Sequence, residues 1–120
     1  MILTIQRPPS ANQLFRAVPG RGMIKSKIYR EWLAENTEKT KLQADAFEKI
    51  CGPFEITFEI ERPDKRRRDL DNHLKALFDL LTQSGAIRDD SDCIKLTALW
   101  KNCGKQIKVI INAIPETDIT

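Results

Sequence analysis

Residues 54–61, Phe-Glu-Ile-Thr-Phe-Glu-Ile-Glu, alternate apolar and polar without a break. Successive side chains of a strand point to opposite faces, so Phe54, Ile56, Phe58 and Ile60 form one apolar row that must be covered. Gly52-Pro53 precedes the run and Pro63 follows it, and proline lacks the N–H that would extend a ladder. Such a strand requires partners along its edges and an apolar layer over one face. The rest of the chain offers both.

Ile2 to Gln6 has the pattern of a short strand, stopped by Pro8-Pro9 and a polar loop through Ser10 and Asn12. A loop containing Pro19, Gly20 and Gly22 leads into a charged helical stretch from about 26 to 50. On it Tyr29, Leu33, Thr37, Thr40, Ala44 and Phe47 share one seam, at spacings of four and three. The seam is only moderately apolar, which predicts a helix irregular near Thr37 and ended by Gly52-Pro53. Asp71 is placed as the N-cap of a second helix that buries Leu74, Leu77, Phe78 and Leu81, with Ser84-Gly85 as its stop. Two strand-like runs follow, 93–101 and 106–114, expected to pair as a hairpin through Asn102-Cys103-Gly104-Lys105. The expected fold is α/β (α+β): a small mixed sheet of about four strands packed against two main helices. Its element order is β-α-β-α-β-β, and Pro115 to Thr120 form a frayed tail.

At 120 residues the chain is expected to form one domain, 1–120. Its net charge of +3 permits nucleic-acid binding without requiring it, and the distribution of charge decides more than the sum. Cys51, Cys93 and Cys103 have no Cys-x-x-Cys spacing and share the chain with a single histidine, His73. That argues against zinc and against a disulfide framework, leaving reduced thiols, with Cys93 and Cys103 as packing residues. The N-terminal residues lack a basic start and a sustained apolar run, and no stretch nears the ~20 apolar residues that span a bilayer. A soluble cytoplasmic protein with no membrane partner is expected.

Residues 64–75, Asp-Lys-Arg-Arg-Arg-Asp-Leu-Asp-Asn-His-Leu-Lys, carry the chemistry. Lys65, Arg66, Arg67 and Arg68 attract phosphate, yet they run directly into Asp69 and Asp71, which repel it. The combination makes sense if the carboxylates hold a hard divalent ion that itself sits against a phosphate, as in a metal-dependent nuclease. Two carboxylates ~4 Å apart repel by about 4 kcal/mol at an effective dielectric near 20, a penalty that a shared cation relieves. Asp89-Asp90 offers a further ligand. Lys75, one helical turn beyond Asp71, either serves the reacting phosphate or simply pairs with Asp71. Ordinary structural roles stand beside each of these: Asp71 as a helix cap, Asp89-Asp90-Ser91 as a turn, the basic run as a solvated loop, His73 as a surface helix residue. Spacing alone does not choose between the two sets.

A wider string does. Arg62 to Asn72, then Leu74-Lys75, Phe78-Asp79, Leu81-Thr82, Gly85 and Asp89-Asp90, together with Pro8-Pro9-Ser10, Asn12 and Arg16, closely resembles the RusA family of Holliday-junction resolvases. The resemblance spans most of the chain, with 17–53 and 93–120 adding little. It implies a homodimer that resolves four-way DNA junctions by paired symmetric nicks. It implies that Asp69, Asp71 and Asp90 are catalytic carboxylates binding Mg2+, with Mn2+ able to substitute, and that Lys75 assists catalysis. Lys65, Arg66, Arg67 and Arg68 would contact the DNA, with Asn12 and Arg16 also within its reach. The expected chemistry is attack on the phosphodiester by a metal-activated water. Two other readings differ: a non-catalytic DNA-binding dimer in which the acidic residues are caps and turns, and a nuclease for other branched DNA.

Overall fold

A computed structural model describes residues 1–62, 69–102, 104–115 and 117. The expectations placed on Lys65, Arg66, Arg67, Arg68 and Cys103 lie outside the described residues, as do those on 118–120. The described elements are β1 (Ile2–Ile5), β2 (Phe15–Val18), β3 (Gly22–Lys25), α1 (Lys27–Ala44), β4 (Phe54–Ile60), α2 (Leu74–Ser84), β5 (Cys93–Trp100) and β6 (Ile107–Ala113). Short 3-10 turns occupy Ala11–Gln13, Leu70–His73 and Asp90–Asp92.

The architecture is α+β, as expected: a mixed four-stranded sheet and two helices, with a small separate hairpin. The sheet runs β1-β6-β4-β5, with β4 and β5 parallel and the other pairs antiparallel. The apolar row of β4 is fully buried, together with Leu3 and Ile5 of β1 and Ile107, Val109 and Ile111 of β6. Leu77, Leu80 and Leu81 of α2 and Tyr29, Trp32 and Leu33 of α1 join them in one cluster. Phe58 meets the Phe78 ring edge-on, with centroids 5.5 Å apart.

The predicted pairing of the last two strands is corrected. β5 and β6 are consecutive but not neighbours, because β4 lies between them. The reason lies in burial and connection. β4 is buried along most of its length and takes an interior place with ladders on both edges. A parallel neighbour needs a long crossover, and α2 supplies it between β4 and β5.

The segment read as a loop around Pro19 and Gly20 is also corrected. β2 and β3 form an antiparallel hairpin, from Phe15 opposite Lys25 to Val18 opposite Gly22. Gly20 and Gly22 supply the positive φ angles, +77° and +71°, that its turn demands.

The first helix starts as its cap dictates, with the Ser26 hydroxyl accepting from the Tyr29 N–H. It ends at Ala44, well before Gly52-Pro53, and Phe47 beyond it is exposed, so no apolar contact favours another turn. It is continuous through Thr37, whose hydroxyl donates to the Leu33 carbonyl and accepts from Gln83 of α2. The Gln43 side chain fastens α1 to the sheet, accepting from the Thr4 N–H and donating to the Thr4 carbonyl. Gly85 ends α2 in the left-handed conformation, at φ +81°.

The Phe58–Phe78 contact joins the central strand to α2, so Phe58→Ala opens a cavity beneath the helix. The expected cost is about 3–5 kcal/mol. Urea unfolding followed by circular dichroism measures it, and a cost below about 1 kcal/mol would mean that this contact does not hold α2 on the sheet.

Candidate active site

β4 delivers the chain to one end of the sheet, where the turn Leu70–His73 leads into α2. Asp71 is not the cap of that helix. Asp69 holds the extended N-cap conformation, at φ −82° and ψ 129°, but its side chain makes no cap bond. The α-helix begins at Leu74, with His73 before it and again no side-chain cap. The Asp71 carbonyl, not its carboxylate, accepts from the N–H of Leu74. Capping therefore uses neither carboxylate.

His73 is another correction. Expected on the surface, it is 8% exposed. The 3-10 turn rotates it inward, where Nε2 lies 3.5 Å from Nη1 of Arg7. Arg7 also donates through Nη2 to the Glu61 carbonyl at 2.6 Å. Asn72 accepts through Oδ1 from the N–H of Ala11 at 3.2 Å. Arg7 and Asn72 thus tie the turn bearing Asp69 and Asp71 to the Pro8-Pro9 loop and the end of β4. Arg7, Asp69, Asn72, His73 and Trp100 border a depression of about 350 Å³. The Arg62 guanidinium sits over the Trp100 ring, 4.8 Å from its centroid.

A second depression, about 500 Å³, lies alongside α2, bordered by Phe15, Lys25, Lys75, Asp79, Asp89 and Asp90 among others. Lys75 does not turn back to Asp71. Its ammonium donates to Oδ1 of Asp79 at 3.2 Å. The other oxygen of Asp79 accepts from the Tyr29 hydroxyl of α1. Burial, then the hydrogen bond and charge of Asp79, push the Tyr29 pKa up, so this phenol remains a donor. Asp79 is gripped from behind by Tyr29 and holds Lys75 in front.

In the acidic loop the two aspartates divide the work. Oδ1 of Asp89 accepts from the Ser91 N–H at 2.9 Å, the turn role expected for this triplet. The Asp89 side chain, then burial, raise the Asp90 pKa against the pull of Lys75. The backbone bond to Ser91 leads the causes that lower the Asp89 pKa. Arg88 clamps the loop with two hydrogen bonds to Asp92, both 3.0 Å.

Asp69 therefore borders one depression and Asp90 the other, while Asp71 is exposed on the turn between β4 and α2. Among the described residues, no three Asp, Glu, His or Cys side chains form one group able to hold a metal. In kind, the donors fit magnesium: they are carboxylate oxygens, and the adjacent charges of Asp89 and Asp90 mark a place where a cation relieves repulsion. Asn12 and Arg16 are exposed, on the Ala11–Gln13 turn and on β2. Sequence reasoning missed Arg7, Tyr29 and Asp79. Asp79 carried a signal, standing four residues after Lys75 on the same helix face.

The family described as Endodeoxyribonuclease RusA matches this chain over residues 6–112. The chain belongs to that family. The crossover junction endodeoxyribonuclease RusA of Escherichia coli strain K12 is 35% identical over 94 residues, which cover 77% of this chain and 75% of that relative. The protein of the same name from Enterobacteria phage 82 is 36% identical over 94 residues, with the same coverage of each chain. That of Shigella sonnei is 35% identical over 94 residues, again covering 77% and 75%.

Burial, then the Arg7 charge, lowers the His73 pKa, with the Pro9 carbonyl acting in the opposite sense. The unfolded chain binds this proton near the ordinary histidine value of about 6.5, whereas the folded chain binds it only at lower pH. Stability is then full above that value and falls as the pH drops through the window down to the folded pKa. Melting temperatures between pH 7.5 and 5 should fall, by roughly 4 °C for each kcal/mol lost. In His73→Gln the fall should shrink. An identical pH dependence in the variant would remove His73 as its source.

Proposed function

We propose that the chain is a magnesium-dependent, structure-selective endodeoxyribonuclease that resolves four-way DNA junctions by paired symmetric nicks, acting as a homodimer in the cytoplasm. Membership of the RusA family supports the reading, and so do the names of its relatives. The observation that carries it is that Lys75 and Asp90 border one depression, with the Lys75 ammonium held by a carboxylate that a buried tyrosine fixes from behind. An ordinary surface lysine has no such support.

Asp69, Asp71 and Asp90 would hold the ion, with Asp89 shaping the loop that presents Asp90. When bound, magnesium supplies an ionised water as nucleophile and neutralises charge on the phosphate. Lys75, its ammonium fixed by Asp79, offsets charge on the phosphate oxygens during attack. Arg7 and His73 keep the Asp69–Asp71 turn in place. Lys65, Arg66, Arg67, Arg68, Asn12 and Arg16 are assigned to the flanking DNA. A two-fold dimer presents two such sites to a substrate of approximate two-fold symmetry, which matches the need to cut two strands.

Cleavage of a labelled synthetic four-way junction, beside a linear duplex of matched sequence, tests this with magnesium and with EDTA. Paired nicks in the junction alone, and only with metal, are expected. Asp71→Asn should lower the rate by about 100-fold or more, the equivalent of several kcal/mol of metal-derived stabilisation. Junction binding should be retained or tightened, because the change removes negative charge near phosphate. Tight binding with no nicks by the unaltered chain, with manganese also tried, would leave a DNA-binding dimer instead.

A further inference from the structure

Residues 8–30 contain five cations, Arg16, Arg21, Lys25, Lys27 and Arg30, and no aspartate or glutamate. Arg16, Arg21 and Lys25 lie on the β2–β3 hairpin, and all three are exposed. Lys27 is different: it pairs with Glu31 along α1. Among the described residues none of the three hairpin cations joins an ion pair. Unshielded cations crowded on one short element repel one another, a cost that an anionic partner relieves.

The hairpin is rooted firmly. Leu14 at its base is buried, and the Leu14 carbonyl accepts from the Ser26 N–H at 2.9 Å. The edge of the Phe15 ring meets Tyr29 with centroids 5.9 Å apart. The Lys25 ammonium lies 5.9 Å from the centre of the same Tyr29 ring. Tyr29 is the residue that fixes Asp79 and, through it, Lys75. One buried side chain thereby sets both the hairpin base and the lysine of the proposed active site. Phe15 and Lys25 share the 500 Å³ depression with Lys75 and Asp90.

From these placements we propose that the β2–β3 hairpin is a second DNA-binding arm, which lies along the phosphodiester backbone flanking the cut strand. Lys25 at its base and Arg21 at its turn each contact a phosphate of that backbone. This rests on the junction-nuclease reading and extends it, since the arm is a different segment of the sequence from the basic run at 65–68. Contacts of this kind position a duplex without reading its sequence.

The test measures binding of the full chain to a synthetic four-way junction without metal, from 50 to 200 mM salt, in Arg21→Gln/Lys25→Gln. Lys41→Gln/Lys49→Gln, beside Met1 and Gly85, loses the same charge elsewhere. Each phosphate contact contributes about 0.9 to the slope of log affinity against log salt on duplex DNA. The hairpin variant should therefore bind roughly tenfold more weakly at the lower salt, with a slope smaller by about 1.8, while the control matches the unaltered chain. Arg21→Gln alone, at an exposed turn, should lose about half of the slope change. A hairpin variant with the control's affinity and slope overturns the arm and leaves the nuclease reading intact. Absence of junction binding by the unaltered chain overturns both.

Discussion

The central strand β4 is hydrogen-bonded along both edges, to β5 on one side and β6 on the other, while its apolar row is sealed beneath the helices. A strand so enclosed has one register available, because a slip of one residue would turn Phe54, Ile56, Phe58 and Ile60 out of the core. That register fixes where Ile60 ends. It also fixes where the chain leaves toward Asp69 and Asp71, and where α2 must begin on its way back to β5. The acidic turn is therefore placed by the core, and Arg7 needs only to trim it by bonding Glu61 and reaching His73.

Around this frame, charge is partitioned by support. Asp79 is answered by Tyr29 and Lys75, Asp92 by Arg88, and Glu59 by Lys101. These pairs hold elements together. Asp69 and Asp71 make no cap bond, and Asp90 stands against a neighbour of its own sign. These carboxylates are not spent on capping helices, with Asp69 beside one depression and Asp90 beside the other.

Elements with a strong period were legible in the sequence. β4, the apolar face of α2 and its Gly85 stop follow from alternation, helical spacing and the conformational freedom of glycine. Pairing was less legible. The spacing of 93–101 and 106–114 fits a hairpin, and only the competition for β4's edges separates the two strands. The β2–β3 hairpin was hidden because four-residue strands are too short to show a period. At the site, the identities of Asp69, Asp71, Lys75 and Asp90 stand out in the string. The supports do not, because Tyr29 meets Asp79 across 50 positions and Arg7 meets His73 across 66. No local pattern encodes a contact between distant segments.

The place of β1 has a consequence for how the protein comes into being. Ile2 to Ile5 pair with Ile107 to Ile110, and the N-terminal ammonium donates to the Ile111 carbonyl. β1 must therefore wait for β6, which is made about a hundred residues later. During synthesis, at about 5–20 residues per second, β1 has no ladder partner for the several seconds needed to reach β6. Until then the Gln43 side chain is the one described group that can engage Thr4 from the helix side. The β4–β5 ladder can pair before β6 is made, whereas the ladders to β1 and β6 close last, so a half-made chain carries the acidic turn on an unfinished frame.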